Sequence, residues 1–197
     1  MSRFDSRVAF TLLVAAFAAA RLVELAISWR HQERLLAQGA VEVAPGHYRV
    51  MVLLHTAFLV AGPLEVWLLG RPFRPLLAAA MLVVLGAAMA LRYWAIATLG
   101  VRWTTRILCL PGEPAVARGP YRFIRHPNYL AVVVEIAALP LVHGAWLTAA
   151  LFSVANAALL RVRIAAEETA LARLSGYEQL FAGRPRWLPR ASGAAGR

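Results

Sequence analysis

The chain has 197 residues, 60% of them apolar, and a mean hydropathy of +0.61. So high an apolar share excludes an ordinary water-soluble domain, and a single cysteine, Cys109, excludes both a disulfide framework and a cysteine-built metal site. The net charge of +11 rests on arginine alone, with no lysine. Because the arginines sit between apolar runs and do not form a stripe on a polar module, the charge reads as membrane topology and no nucleic-acid partner is expected.

A spanning helix needs about 20 apolar residues, and the first run, Val8 to Trp29, meets that length. It lacks a small-residue cleavage site and carries Arg21 and Glu24, so it is expected to be retained and not removed as a signal. Those two residues are spaced i, i+3, where pairing lowers the cost of taking both charges into the bilayer. They face either other helices or a substrate pocket. The runs Tyr48 to Leu69 and Pro75 to Ala97 predict a second and a third span. His55, Glu65 and, further on, Glu135 are polar groups inside apolar runs, each suited to an interhelical hydrogen bond. No metal-ligand spacing relates them, and no metal is expected.

The stretch from Tyr129 to Val162 is too long for one span and is interrupted at Pro140 and at His143-Gly144. Two helices of roughly 15 to 18 residues joined by a tight turn are predicted, which makes five in all. Arg30 and Arg34 follow the first helix; Arg102, Arg106, Arg118, Arg122 and Arg125 separate the third from the fourth; Arg173, Arg184, Arg186 and Arg190 lie in the tail. The positive-inside rule places these segments in the cytoplasm, against Arg3, Arg7, Arg71 and Arg74 on the other side. A single membrane domain over residues 1–190 is expected, with a disordered end at 191–197.

The chemistry-bearing stretch runs from Arg118 through Gly119-Pro-Tyr121 to Arg125-His-Pro-Asn-Tyr129, entering the fourth helix from the basic loop. Pro127 presets a first helical turn and biases His126 toward an extended backbone, which puts His126 at the cap and Pro127 at N1. The N–H groups and positive dipole end there suit an anion such as a ligand carboxylate. Tyr121 and Tyr129 offer aromatic walls and hydroxyls. The competing reading is an interfacial belt of arginine and tyrosine with nothing bound. After the fifth helix, Arg163 and Glu167 lie i, i+4, with Glu168 beside them; by itself this reads as a solvated ion pair. A short hairpin, however, forces the last two helices antiparallel and carries Arg163 to Glu168 to the end where His126-Pro127 lies.

On these residues, together with Gly176-Tyr177 and Pro185-Arg-Trp-Leu-Pro189, the carboxy-terminal half resembles the isoprenylcysteine carboxyl methyltransferase family of membrane enzymes. The fold so implied is all-α: a polytopic membrane protein of about five transmembrane helices, the last two a hairpin, with a cytoplasmic cofactor-binding loop and a C-terminal helix, the cofactor-binding half spanning about 99–190. The resemblance implies S-adenosylmethionine as cofactor, held by Val116, Tyr121, His126, Pro127, Asn128, Tyr129 and Glu167. It implies Arg163 and Glu168 as catalytic residues, with Arg163 meeting the acceptor and Glu168 a candidate base if the acceptor must lose a proton. The expected acceptor is a lipophilic small molecule, either a prenylcysteine-like carboxylate or a long-chain polyketide phenol or enol, drawn from membrane lipid. The expected setting is a bacterial inner membrane with the site facing the cytoplasm. Two other readings are an NADPH-dependent membrane sterol or enone reductase, which has a similar helical unit, and a scaffold whose arginines merely set topology.

Overall fold

A computed structural model describes residues 3–175 and 177–187. Gly176, Pro189, Arg190 and the tail at 191–197 lie outside the described residues. The chain forms an all-α polytopic membrane protein. Its long helices are α1 (Arg3–Ala37), α2 (Gly46–Leu68), α3 (Pro75–Leu99), α4 (Pro127–Leu141) and α5 (Trp146–Ser175), with α6 (Tyr177–Leu180) a single closing turn. Four of them, all but α4 and α6, are long and apolar enough to cross a membrane.

Composition explains the packing. Where every face is apolar, a helix can turn large side chains to lipid and small ones to its neighbours. Leu12, Leu53, Leu76, Val83, Leu151 and Val154 are exposed on the outside. Ala78, Ala88, Ala95, Ala131, Ala138 and Ala149 are buried at helix contacts. α4 is the central element, packed between α3 and α5, and α2 lies along α5. At 15 residues α4 spans about 22 Å, short of the roughly 30 Å hydrocarbon core.

Two expectations are corrected. Pro140 does not break α4; it sits in the last turn, one residue before the helix ends, and its own carbonyl accepts from His143 N and Ala145 N. The reversal comes at Gly144, whose φ of 69° suits glycine. α5 is 30 residues long, nearly twice the expected length, because Arg161 to Ala172 continues it without a breaker. A two-stranded antiparallel ribbon was not foreseen: β1 (Val41–Val43) pairs with β2 (Ile107–Cys109) in the register Val41↔Cys109 and Val43↔Ile107. It ties the α1–α2 connection to the α3–α4 connection, so both lie at one end of the bundle.

The opposite end is closed by polar contacts of Glu65 and His143. Glu65 of α2 caps α5, accepting from Leu147 N at 3.2 Å, Thr148 N at 2.7 Å and the Thr148 hydroxyl at 2.7 Å, while Arg71 donates to it at 2.8 Å. His143 pairs with the Ser6 hydroxyl at 3.1 Å, between the rings of Phe10 and Phe73. Glu65 is therefore an interhelical cap.

Candidate active site

His126 is the N-cap of α4 and Pro127 its first residue, and no side chain caps the turn. The approach is held by the chain's last described segment: Arg125 N donates to Pro185 O at 3.0 Å and His126 N to Arg186 O at 3.3 Å. Arg184 reaches back to the Tyr121 carbonyl at 3.1 Å. Gly119 has φ 56°, and a Cβ there would collide with Thr98 of α3, so the Gly119-Pro120-Tyr121 turn lies flush against that helix. Tyr121 is buried with Tyr177 and Phe181. Burial pushes its phenol well above the ordinary range, so it acts as a neutral wall and hydroxyl.

The antiparallel hairpin sets α5 beside this entrance. Tyr129 donates its hydroxyl hydrogen to Glu167 at 2.6 Å, and Arg163 Nε donates to the Tyr129 oxygen at 3.1 Å. A terminal Arg163 nitrogen also donates to the Thr105 carbonyl. Arg163 is only 4% exposed, and these two partners fix the position of its guanidinium. One turn along, Glu168 accepts from His126 Nε2 at 3.0 Å and from Arg186 at 3.0 and 2.5 Å, with Arg125 at 3.9 Å. A carboxylate accepts only, so His126 presents Nε2–H to it.

These groups surround a cavity of about 620 Å³. Val116, Tyr121, His126, Asn128, Tyr129, Arg163 and Glu167 line it; Pro127 and Glu168 stand behind the wall and fix residues that do. The Asn128 side-chain oxygen is buried without a partner. The cavity continues into the helical bundle, where its wall carries Arg21, Glu24, His55, Arg92, Glu135 and Asn156. Arg21 and Glu24 pair at 2.8 Å as the spacing implied, but they belong to a larger cluster. Arg92 of α3 binds Glu135 through two nitrogens at 2.9 and 2.5 Å and approaches Glu24 at 3.5 Å. Arg92 was missed by sequence reasoning, although a lone arginine inside an apolar helix is the same signal that drew notice to Glu135. Thr105 and Ser28, which meet through 3.0 Å and 2.8 Å hydrogen bonds, carry no local pattern that would mark them.

Cys109 lies on β2 and is buried; burial pushes its thiol up to about 11, so it is no nucleophile near neutral pH. Among the described residues, no cluster of histidine, cysteine or carboxylates could hold a metal.

Comparison with known proteins agrees with this arrangement. Residues 79–173, which hold most of α3, the α3–α4 connection, the hairpin and Arg163 to Glu168, match the isoprenylcysteine carboxyl methyltransferase family. An uncharacterized Bacillus subtilis protein, YpbQ, is 38% identical over 167 residues, covering 84% of this chain and 98% of its own length. The chain belongs to the isoprenylcysteine carboxyl methyltransferase family. An uncharacterized Haemophilus influenzae protein is 30% identical over 161 residues, covering 81% of this chain and 93% of itself. Isoprenylcysteine carboxyl methyltransferases are membrane methyltransferases, and this member is an integral membrane protein. α1 and α2 precede the matched segment and supply much of the deeper cavity wall.

Proposed function

We propose that this protein is an S-adenosylmethionine-dependent O-methyltransferase for a lipophilic acceptor, with its donor site at the cytoplasmic face of a bacterial inner membrane. The observation that carries the reading is one cavity walled at its polar end by the α4 entrance and by Arg163 and Glu167, and extending from there to membrane depth. Its volume lies within the usual range for a small-molecule site. The arginine-rich ends of α1, α3 and α5 favour the cytoplasm for that side.

The residues fit a methionine-type nucleoside donor. The uncapped first turn of α4 suits its carboxylate, the unpartnered Asn128 oxygen suits an ammonium or hydroxyl hydrogen, and Tyr121 provides an aromatic wall. Such a donor would supply an electrophilic methyl on sulfur: the O–CH3 bond forms to an acceptor oxygen that is already ionised as a carboxylate, or that gives its proton to water if it is a phenol or enol, as the S–CH3 bond breaks to leave a neutral thioether. The protein's part is alignment and exclusion of water, for which proximity contributes several kcal/mol. Arg163, locked by Tyr129 and Thr105, orients the acceptor oxygen, and Glu167 holds the Tyr129 hydroxyl. Glu168 serves through His126, fixing its ring and tautomer as a positioning group and not as a base, because it stands behind the cavity wall.

The direct test is incubation of the purified protein with methyl-labelled S-adenosylmethionine and a total lipid extract, followed by mass spectrometry of the labelled product. A labelled lipid is the expected result. Thermal stabilisation by NADPH and not by S-adenosylhomocysteine would replace this reading with a reductase. Stabilisation by neither, with no labelling of the 121–129 loop by a photoreactive donor analogue, would leave only a scaffold.

A further inference from the structure

Arginine and glutamate four residues apart on a helix ordinarily meet as an ion pair. Arg163 and Glu167 have that spacing on α5, yet the Tyr129 hydroxyl stands between them. A carboxylate can only accept and a guanidinium can only donate. The one hydroxyl hydrogen therefore goes to Glu167 at 2.6 Å, and an oxygen lone pair receives Arg163 Nε–H at 3.1 Å. The ring that carries this hydroxyl belongs to α4 and stacks on His126, with centroids 5.5 Å apart, and His126 is in turn held by Glu168.

The result is a buried cation with no carboxylate against it. Among the described residues, no carboxylate oxygen lies within 4.0 Å of an Arg163 nitrogen. Glu168 is taken by His126 and Arg186, and Glu135 by Arg92. Arg163 Nε serves Tyr129 and one terminal nitrogen serves the Thr105 carbonyl, both of them neutral groups. The other terminal nitrogen makes no hydrogen bond among the described residues and stays accessible from the cavity that Arg163 lines. A buried charge without a counter-ion is costly, and Glu167 is its nearest complement, one turn along the same helix. A single oxygen atom holds the two apart.

We propose that the Tyr129 hydroxyl is a positioning group that keeps Arg163 from pairing with Glu167, and so reserves the guanidinium for a negatively charged oxygen of the acceptor. The identity of that anion as the acceptor rests on the methyltransferase reading; the binding of an anion does not. Without the hydroxyl, Glu167 loses its donor and Arg163 its acceptor, and each becomes the best partner within the other's reach. The ion pair so formed would neutralise the cation that the cavity presents.

The test uses the full chain in phosphatidylcholine nanodiscs and compares the binding of 3-pentadecylbenzoate with that of 3-pentadecylbenzamide, which has the same tail and no charge. The wild type should prefer the benzoate about tenfold or more, the worth of one charge-assisted hydrogen bond. Tyr129→Phe keeps the ring and its stacking on His126 and should bring that preference toward one. Adding Glu167→Gln to Tyr129→Phe removes the competing charge and should restore most of the preference, a rescue that a mere packing role for Tyr129 would not give. Glu167→Gln alone, in which the hydroxyl keeps an acceptor, should hold or raise the preference; this arm stands even if the thermal midpoint shows that Tyr129→Phe does not fold. A preference untouched by Tyr129→Phe overturns the proposal, as does a double variant no better than Tyr129→Phe, or loss of the preference in Glu167→Gln. Equal binding of the two probes by the wild type overturns it too. S-adenosylhomocysteine is added in parallel: its failure to stabilise any form counts against the methyltransferase reading, while the benzoate-to-benzamide ratio still judges the role of Tyr129.

Discussion

Arg163 is more than a charge near a pocket. Its guanidinium is divided between the Tyr129 hydroxyl and the Thr105 carbonyl, so both its position and its plane are set before anything binds. Replacing it with alanine should lower kcat/KM about a hundredfold or more, since misplacement of a reacting group by an ångström is enough to do so. Arg163→Lys should recover little of this, because a lysine cannot make the fork. Glu168→Ala should also abolish most turnover, and a Glu168→Gln variant that still accepts from His126 and Arg186 should recover part of it; full activity in Glu168→Ala removes the positioning role. Cys109 provides a test by pH. Its folded thiol is raised to about 11 from an ordinary value of 9, so the native state holds the proton more tightly than the unfolded chain. The stabilisation is complete below about pH 9 and is lost as pH rises through about 11. Iodoacetamide should accordingly label Cys109 slowly at pH 8 in the folded protein and rapidly after denaturation.

At the scale of elements, α1 reaches the active site through hydrogen bonds. The Ser28 hydroxyl accepts from Thr105 N at 2.8 Å and from Gln32 at 2.8 Å, and it meets the Thr105 hydroxyl at 3.0 Å. The same Thr105 gives its carbonyl to Arg163. His31 adds a contact to the Trp103 carbonyl at 2.8 Å, and the β1–β2 ribbon, with Arg106 bound to Glu42 at 3.0 Å, fastens the next stretch of the loop. Ser28 is fully buried, so Ser28→Ala leaves the Thr105 N–H without its acceptor at a cost of about 1–3 kcal/mol. The variant should unfold at a lower temperature and lose kcat through Arg163, while Ser28→Thr keeps the oxygen and should retain most of both.

Across the whole molecule, the charge cluster joins α1, α3 and α4 at the level where the bundle meets the cavity. Each arginine touches a glutamate, and removing one partner strands a buried charge. Arg92→Leu alone should therefore cost about 3–5 kcal/mol, whereas Arg92→Leu with Glu135→Leu should be considerably milder, measured as thermal midpoints in one detergent. A double variant as damaging as the single would show that the cluster is not acting as a pair-balanced unit.

Much of this protein was legible without coordinates. The membrane class, the three early spans, the cap at His126-Pro127 and the meeting of that cap with Arg163 to Glu168 all follow from apolar length, proline stereochemistry and the antiparallel turn at His143-Gly144, which are local properties. What the chain order could not disclose is contact across large separations. Ser28 with Thr105, Val41 with Cys109, and Arg21 and Glu24 with Arg92 and Glu135 are non-local pairs with no periodic signature. Nor could it reveal that Glu168 stands behind the wall while Glu167 faces the cavity. Adjacent residues on a helix point about 100° apart, and only the packing of neighbouring helices determines which direction is the lumen.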